Sequence, residues 1–215
     1  LFPYRCAACH TLLSAGEHWC DACLPKHLAP RWQPLPPGDP LDGGLFTLAP
    51  YEGAVRQLFH LAKYHHNKNA LGALAQLASI AAARLATQPV WPPAARTAPV
   101  VFIPGDASRQ AARGGVSIPH ALFKAALAAH PSLPLLVRTR PTAPQYSLDK
   151  AARQANVAGC FAVAPLIAPG GTLVLVDDIV TSGATLREAA QTIKKAGAAT
   201  VIGLALAHDN QQLFR

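Results

Sequence analysis

The chain has 215 residues, 51% of them hydrophobic and 14% charged, with a formal net charge of +8 and five cysteines. That length exceeds one small domain and the apolar content suffices for a core, yet no uninterrupted apolar run reaches membrane-spanning length. No secretory leader is recognisable, which argues against a disulfide-stapled scaffold, and the absence of any methionine points to a processed or trimmed sequence.

In chain order, the first signal is Cys6-x-x-Cys9 and Cys20-x-x-Cys23, two CxxC pairs separated by ten residues. Four thiolates at that spacing favour a tetrahedral structural zinc. A segment this short buries no core of its own, so the metal is expected to supply much of its folding free energy. Pairing each CxxC as a disulfide would staple nothing. His10 and His18 lie beside the ligands, and Cys160 reads as a small buried residue. The six prolines between Pro25 and Pro40 read as a semi-rigid linker. The expected organisation is therefore a zinc ribbon over 1–28, a linker over 29–44 and a larger domain over 45–215.

Within that domain, periodicity predicts helices at Glu52 to Lys63 and Ala70 to Ala86. A loop over Pro89 to Pro99 precedes a strand at Val100 to Ile103. Ser117 caps a helix running through Ala129, a strand covers Leu133 to Val137, and a polar loop leads to a strand at Cys160 to Val163. Leu173 to Val176 reads as a fully buried parallel strand, Leu186 to Ala196 as a helix, and Thr200 to Ala207 as a final strand. Such alternation predicts an α/β fold with a mostly parallel sheet. Ligands in such sheets bind outside the carboxyl ends of the strands, where Asp177 and the Pro104-Gly105 turn both emerge.

The segment Asp177-Asp178-Ile179-Val180-Thr181-Ser182-Gly183-Ala184-Thr185 joins two carboxylates to a hydroxyl-rich turn before a helix. Free backbone N–H groups at a helix N-terminus bind phosphate. Thr181, Ser182 and Thr185 add hydroxyl donors, Gly183 allows the backbone to close around an anion, and nothing from Ile179 to Thr185 carries negative charge. Asp177 and Asp178 either accept hydrogen bonds from ribose hydroxyls or hold magnesium. An ordinary capped strand-turn-helix is the bland alternative. A Walker loop is a weaker rival, because no lysine lies between Lys150 and Lys194, and no G-x-G-x-x-G element occurs.

Charge is concentrated rather than spread: residues 51 to 160 hold twelve Lys or Arg against only Glu52, Asp106 and Asp149. Two readings of this excess fit, cations that receive a pyrophosphate or a surface that meets nucleic-acid backbone. Arg138, Arg140 and Arg153 flank a loop with Thr142, Gln145, Tyr146 and Asn156, an alternation suited to stacking and phosphate contact.

The Asp177-Asp178 loop closely resembles the signature of type I phosphoribosyltransferases that binds 5-phosphoribosyl 1-pyrophosphate (PRPP). That resemblance implies that Asp177 and Asp178 bind the ribose and that Thr181, Ser182, Gly183, Ala184 and Thr185 form the phosphate cradle, and Ile179, Val180, Pro104 and Gly105 are expected to complete the PRPP site. Adding the zinc ribbon, Tyr51-x-Gly53-x-Val55-Arg56, Lys63-Tyr64, Arg113-Gly114, Arg138-x-Arg140-x-Thr142-x-x-Gln145 and Arg153-x-x-Asn156, the whole chain resembles the ComF (ComFC) competence proteins. The family usually carries Arg-Gly-Phe-Asn-Gln after the first core strand, where this chain reads Arg113-Gly114-Gly115-Val116-Ser117. The resemblance implies a cytoplasmic protein of natural transformation that binds PRPP with magnesium, meets single-stranded DNA through Arg138, Arg140, Gln145 and Arg153, and works with a competence helicase at the inner face of the membrane. It also implies that any catalysis would rest on Asp177, Asp178 and Arg113 during displacement of pyrophosphate by a nitrogen nucleophile. A nucleotide-salvage phosphoribosyltransferase and a helicase-docking adaptor are the competing expectations.

Overall fold

A computed structural model describes residues 4–143, 150–163 and 170–209. Five strands form the main sheet: β1 (Arg31–Gln33), β2 (Leu45–Pro50), β3 (Val100–Phe102), β6 (Thr172–Val180) and β7 (Thr200–His208), in the order β1-β2-β7-β6-β3. Only β1 runs antiparallel. A separate antiparallel pair joins β4 (Leu136–Arg138) to β5 (Phe161–Val163).

Both faces of the main sheet are covered, as a parallel sheet requires. Phe46, Leu48, Val174, Val176, Ile202 and Leu204 point into one core, shared with α2 (Gly53–Tyr64), α3 (Lys68–Ala86) and α5 (Ile118–Phe123). Leu45, Val101, Leu173, Leu175 and Val201 point into the other, beneath α7 (Ala184–Lys195) and the small sheet. Strict alternation along β6 thus divides one continuous apolar run between two cores. The parallel strands β2, β7, β6 and β3 all end on one edge of the sheet, and this edge carries the polar chemistry.

Several elements differ from the sequence expectation. The Pro25 to Pro40 stretch is not a spacer, because Arg31–Gln33 pairs with β2 and the short α1 (Leu24–His27) packs at the cysteine module. The ribbon itself docks on α3. Trp19 Nε1 donates to Ala73 O at 2.8 Å, and His18 N donates to Gln76 Oε1 at 3.0 Å. Gly72 permits that approach, since a Cβ there would stand 2.8 Å from His18 Nε2. Strand β2 had no alternation to reveal it, being buried at all six positions.

The helix after Ser117 ends at Phe123. Beyond it the chain runs through turns closed by mixed bonds, Leu127 N to Phe123 O and Ala128 N to Ala125 O, and Ser117 makes no side-chain cap. The expected strand at Leu133 to Val137 begins only at Leu136; before it, Leu133 N donates to Val100 O at 2.9 Å, beside an isolated bridge between Ser132 and Val100. Part of the expected polar loop folds as α6 (Lys150–Val157). The remaining short helix, α4 (Ala107–Ala112), is capped by Asp106, whose side chain accepts from Ser108 N and Arg109 N. Among the described residues no helix is long and apolar enough to cross a membrane.

Candidate functional site

At the carboxyl edge of the sheet lies a cleft of about 750 Å³, lined by the end of β6, the turn before α7, the loop after β3 and one face of α2. Asp177, Asp178, Thr181 and Thr185 line it together with Pro104, Gly105 and Arg113. Residues far apart in the chain are thus brought together in one cleft.

The acid pair is held by its own strand. Asp177 Oδ1 accepts from Asp178 N at 2.8 Å, and Asp178 Oδ1 accepts from Ile179 N at 2.7 Å. Asp178 Oδ2 pairs with Lys63 Nζ at 2.8 Å, a contact delivered by the last turn of α2. Burial, with the neighbouring Asp178 charge added, pushes the Asp177 carboxyl up to about 7. Burial opposes the Lys63 charge, but Asp178 and Asp177 outweigh it and raise the ammonium above its ordinary value.

The turn after the acids leads directly into the N-terminus of α7. Gly183 occupies the left-handed region at φ +75° and forms the N-cap of α7. Ala184 N donates weakly to Ser182 Oγ at 3.4 Å, so the first turn of a twelve-residue helix lacks a strong side-chain cap. Behind the turn, Arg187 Nη1 donates to Ser182 O at 2.7 Å while its Nε pairs with Asp39 at 2.7 Å. This brace comes from the proline-rich stretch, and no local pattern signalled it.

The basic residues fall into two groups. Arg138 is committed internally: its Nε donates to Pro104 O, its Nη1 donates to Thr142 Oγ1, and its guanidinium lies 4.8 Å from the Phe161 ring centroid. Arg140 donates to Ala158 O at 2.6 Å, and Asn156 clamps Ala143 through both its N–H and C=O. Arg153 is only 6% exposed and lines the cleft. Arg138 and Arg153 thus belong to the cleft wall, whereas Arg140 is exposed outside it; Gln145 and Tyr146 lie outside the described residues. Arg109 donates to Thr142 O at 2.6 Å. Arg113 differs from them, its Nε buried with no hydrogen-bond partner among the described residues. At the cleft mouth, sequence reasoning gave no role to the exposed Arg56, His60 and Tyr64, which share one face of α2 at i, i+4 spacing.

The acid pair does not fit direct magnesium ligation as it stands. Three of its four oxygens accept hydrogen bonds, and an ammonium occupies the position beside Asp178.

The four cysteines do fit a metal. Their sulfur atoms all lie within 4.8 Å of one another, and Cys9 and Cys20 Sγ are 3.7 Å apart. A tetrahedral zinc with ~2.3 Å bonds places sulfurs roughly 3.8 Å apart. Left to themselves the thiols cannot ionise together. Hydrogen bonding to Thr11 lowers Cys9 to about 6, whereas contacts with Cys20 and Cys9 push Cys23 up to about 12. A dication resolves that conflict by favouring the thiolate at every ligand.

Residues 137–213 match the phosphoribosyl transferase domain. The chain is 42% identical over 66 residues to DNA utilization protein YhgH of Escherichia coli O157:H7, and likewise to the protein of that name in Shigella flexneri. It is 41% identical over the same length to DNA utilization protein YhgH of Salmonella typhi. Each alignment covers 31% of this chain and only 29% of the relative. The chain thus carries a phosphoribosyltransferase domain and is homologous to YhgH, and these findings with the four-cysteine cluster bear out the ComF resemblance.

Proposed function

We propose that this YhgH homologue binds PRPP in the sheet-edge cleft and handles incoming single-stranded DNA in the cytoplasm during natural transformation. The observation that carries the reading is the meeting, in one cleft, of an acid pair, a hydroxyl-rich helix N-terminus without a strong cap, and an arginine whose buried Nε has no partner among the described residues. In it, backbone N–H groups and hydroxyls from Thr181 to Thr185 grip the sugar's 5-phosphate, assisted by the α7 dipole. Asp177 and Asp178 accept from the ribose hydroxyls. Arg113 and Arg109 meet the pyrophosphate.

Single strands are held by charge along the backbone and by stacking on aromatic faces. Arg56, His60 and Tyr64 supply both at the cleft mouth, and the DNA utilization relatives favour nucleic acid as the partner. The zinc module exposes Tyr4 and Leu12, 44% and 61% accessible, as the face for a helicase partner at the membrane.

Calorimetry with PRPP and anisotropy with a labelled single strand test the reading. Asp177→Ala is expected to weaken PRPP at least about tenfold, without changing DNA affinity. Arg56→Ala is expected to weaken DNA and to reduce the salt slope by about one. A wild-type chain that takes up no PRPP at saturating concentration sinks the reading.

The orphaned Arg113 Nε also favours a second reading, transfer of phosphoribose to a base. A nitrogen nucleophile would form the bond to the anomeric carbon as the bond to pyrophosphate breaks, and Arg113 would take up the departing charge. Pyrophosphate release with a panel of purines and pyrimidines decides it, and silence across the panel removes it.

A further inference from the structure

Lys63 is the residue of the cleft that the functional reading has not yet used. It projects from α2, whose position is fixed by buried Val55, Leu58, Phe59 and Ala62. Its Nζ lies 2.8 Å from Asp178 Oδ2 and 5.4 Å from the Phe59 ring centroid, so the stem is packed and the head is aimed. The lysine side chain is only 25% exposed and its carboxylate partner 14%. This is a partly desolvated ion pair on a rigid helix, in the place where a phosphorylated sugar would meet its counter-ion.

Magnesium needs near-octahedral oxygen ligation at roughly 2.0–2.1 Å and seldom gives up its waters. Here Asp178 spends one oxygen on Ile179 N and the other on Lys63, while Asp177 spends one on Asp178 N. A charged lysine offers no lone pair to a metal and repels one. It does supply three donors, so one ammonium can hold Asp178 and still donate to a ligand oxygen.

We propose, resting on the reading of the cleft as a PRPP site, that Lys63 takes the place of the divalent cation. It neutralises the acid pair, keeps Asp178 oriented toward the ribose and donates to the ligand's anionic arm, so that PRPP binds without magnesium. Two of its features suit the role. A helix rather than a loop carries it, so little order is lost on binding. Arg109 and Arg113 share the same cleft and supply the remaining positive charge that a metal-free pyrophosphate demands.

The test is calorimetric titration of the full chain with PRPP, with magnesium present and with magnesium omitted. Omission is used instead of chelation so that the cysteine cluster keeps its zinc. The wild-type affinity is expected to differ by less than about threefold between the two buffers. Lys63→Met is expected to lose at least about tenfold without magnesium and to regain part of that loss when magnesium is added. Lys63→Arg keeps the charge and retains most of the metal-free affinity.

A wild-type affinity that falls about tenfold or more on omission overturns the proposal while leaving the PRPP site intact. Equal losses for Lys63→Met in both buffers overturn it too, since the lysine would then not substitute for the metal. Absence of binding by the wild-type chain in either buffer overturns the reading of the cleft and the proposal with it. The wild-type pair of titrations decides the matter even if Lys63→Met fails to fold.

Discussion

Asp177 and Asp178 are chemically identical neighbours in opposite situations. Asp178 has an ammonium at 2.8 Å, whereas Asp177 faces burial and its neighbour's charge, which move it from the ordinary 3.8 to about 7. The folded pKa lies above the unfolded one, so the native state holds a proton that the unfolded chain has released. Stability is therefore expected to fall as pH rises from about 4 to about 7. Asp177→Asn should flatten that slope, and thermal midpoints of the two proteins across this range check it; parallel profiles would contradict it. Asp177 and Asp178 were legible from the sequence because two acids ending an apolar strand have few structural uses. Lys63 as their partner was not, because a lysine at the end of an amphipathic helix ordinarily reads as solvated.

At the scale of elements, the strand-turn-helix of β6 and α7 matches expectation because its signals are local: a β-branched apolar run, a glycine and a helical period. What holds the turn is not local. Arg187 ties Ser182 O to Asp39, residues joined only by the fold. Arg187→Ala should cost about 1 kcal/mol of stability. It should also weaken PRPP several-fold, by loosening the turn while leaving its sequence intact. Lysine at this position should not rescue, since the fork must serve a carbonyl and a carboxylate at once. Melting and titration of both variants measure this, and an unchanged affinity would show that the turn needs no brace. The helix α6 has no comparable local signal: half of its eight residues are polar, three of the rest are alanines, and the chain just beyond it is tied by Gly159 N to Glu188 of α7.

Across the whole molecule, the cysteine module is part of the main core rather than a tethered ribbon. Cys6, Trp19 and Cys23 join the cluster that contains Leu74, Leu77 and Phe46, so metal loss should be felt far from the sulfurs. Cys6→Ser is expected to lower the midpoint of the complete chain in one transition, with helix α3 losing hydrogen-exchange protection alongside the module. Two separate transitions in calorimetry would restore the picture of independent domains.

By itself the sequence determined the four-cysteine cluster, the acid pair, the turn that leads into a helix and the α/β class, because each is written in spacings of a few residues that backbone geometry converts directly into structure. Only the tertiary structure decided that Lys63 sits on Asp178, that Asp39 and Arg187 meet across 148 positions, and that Arg138 and Arg153 turn into the cleft wall while Arg140 stays exposed. Those contacts depend on which strand ends share an edge and which helix face covers them, and side-chain charge alone carries no record of its partner.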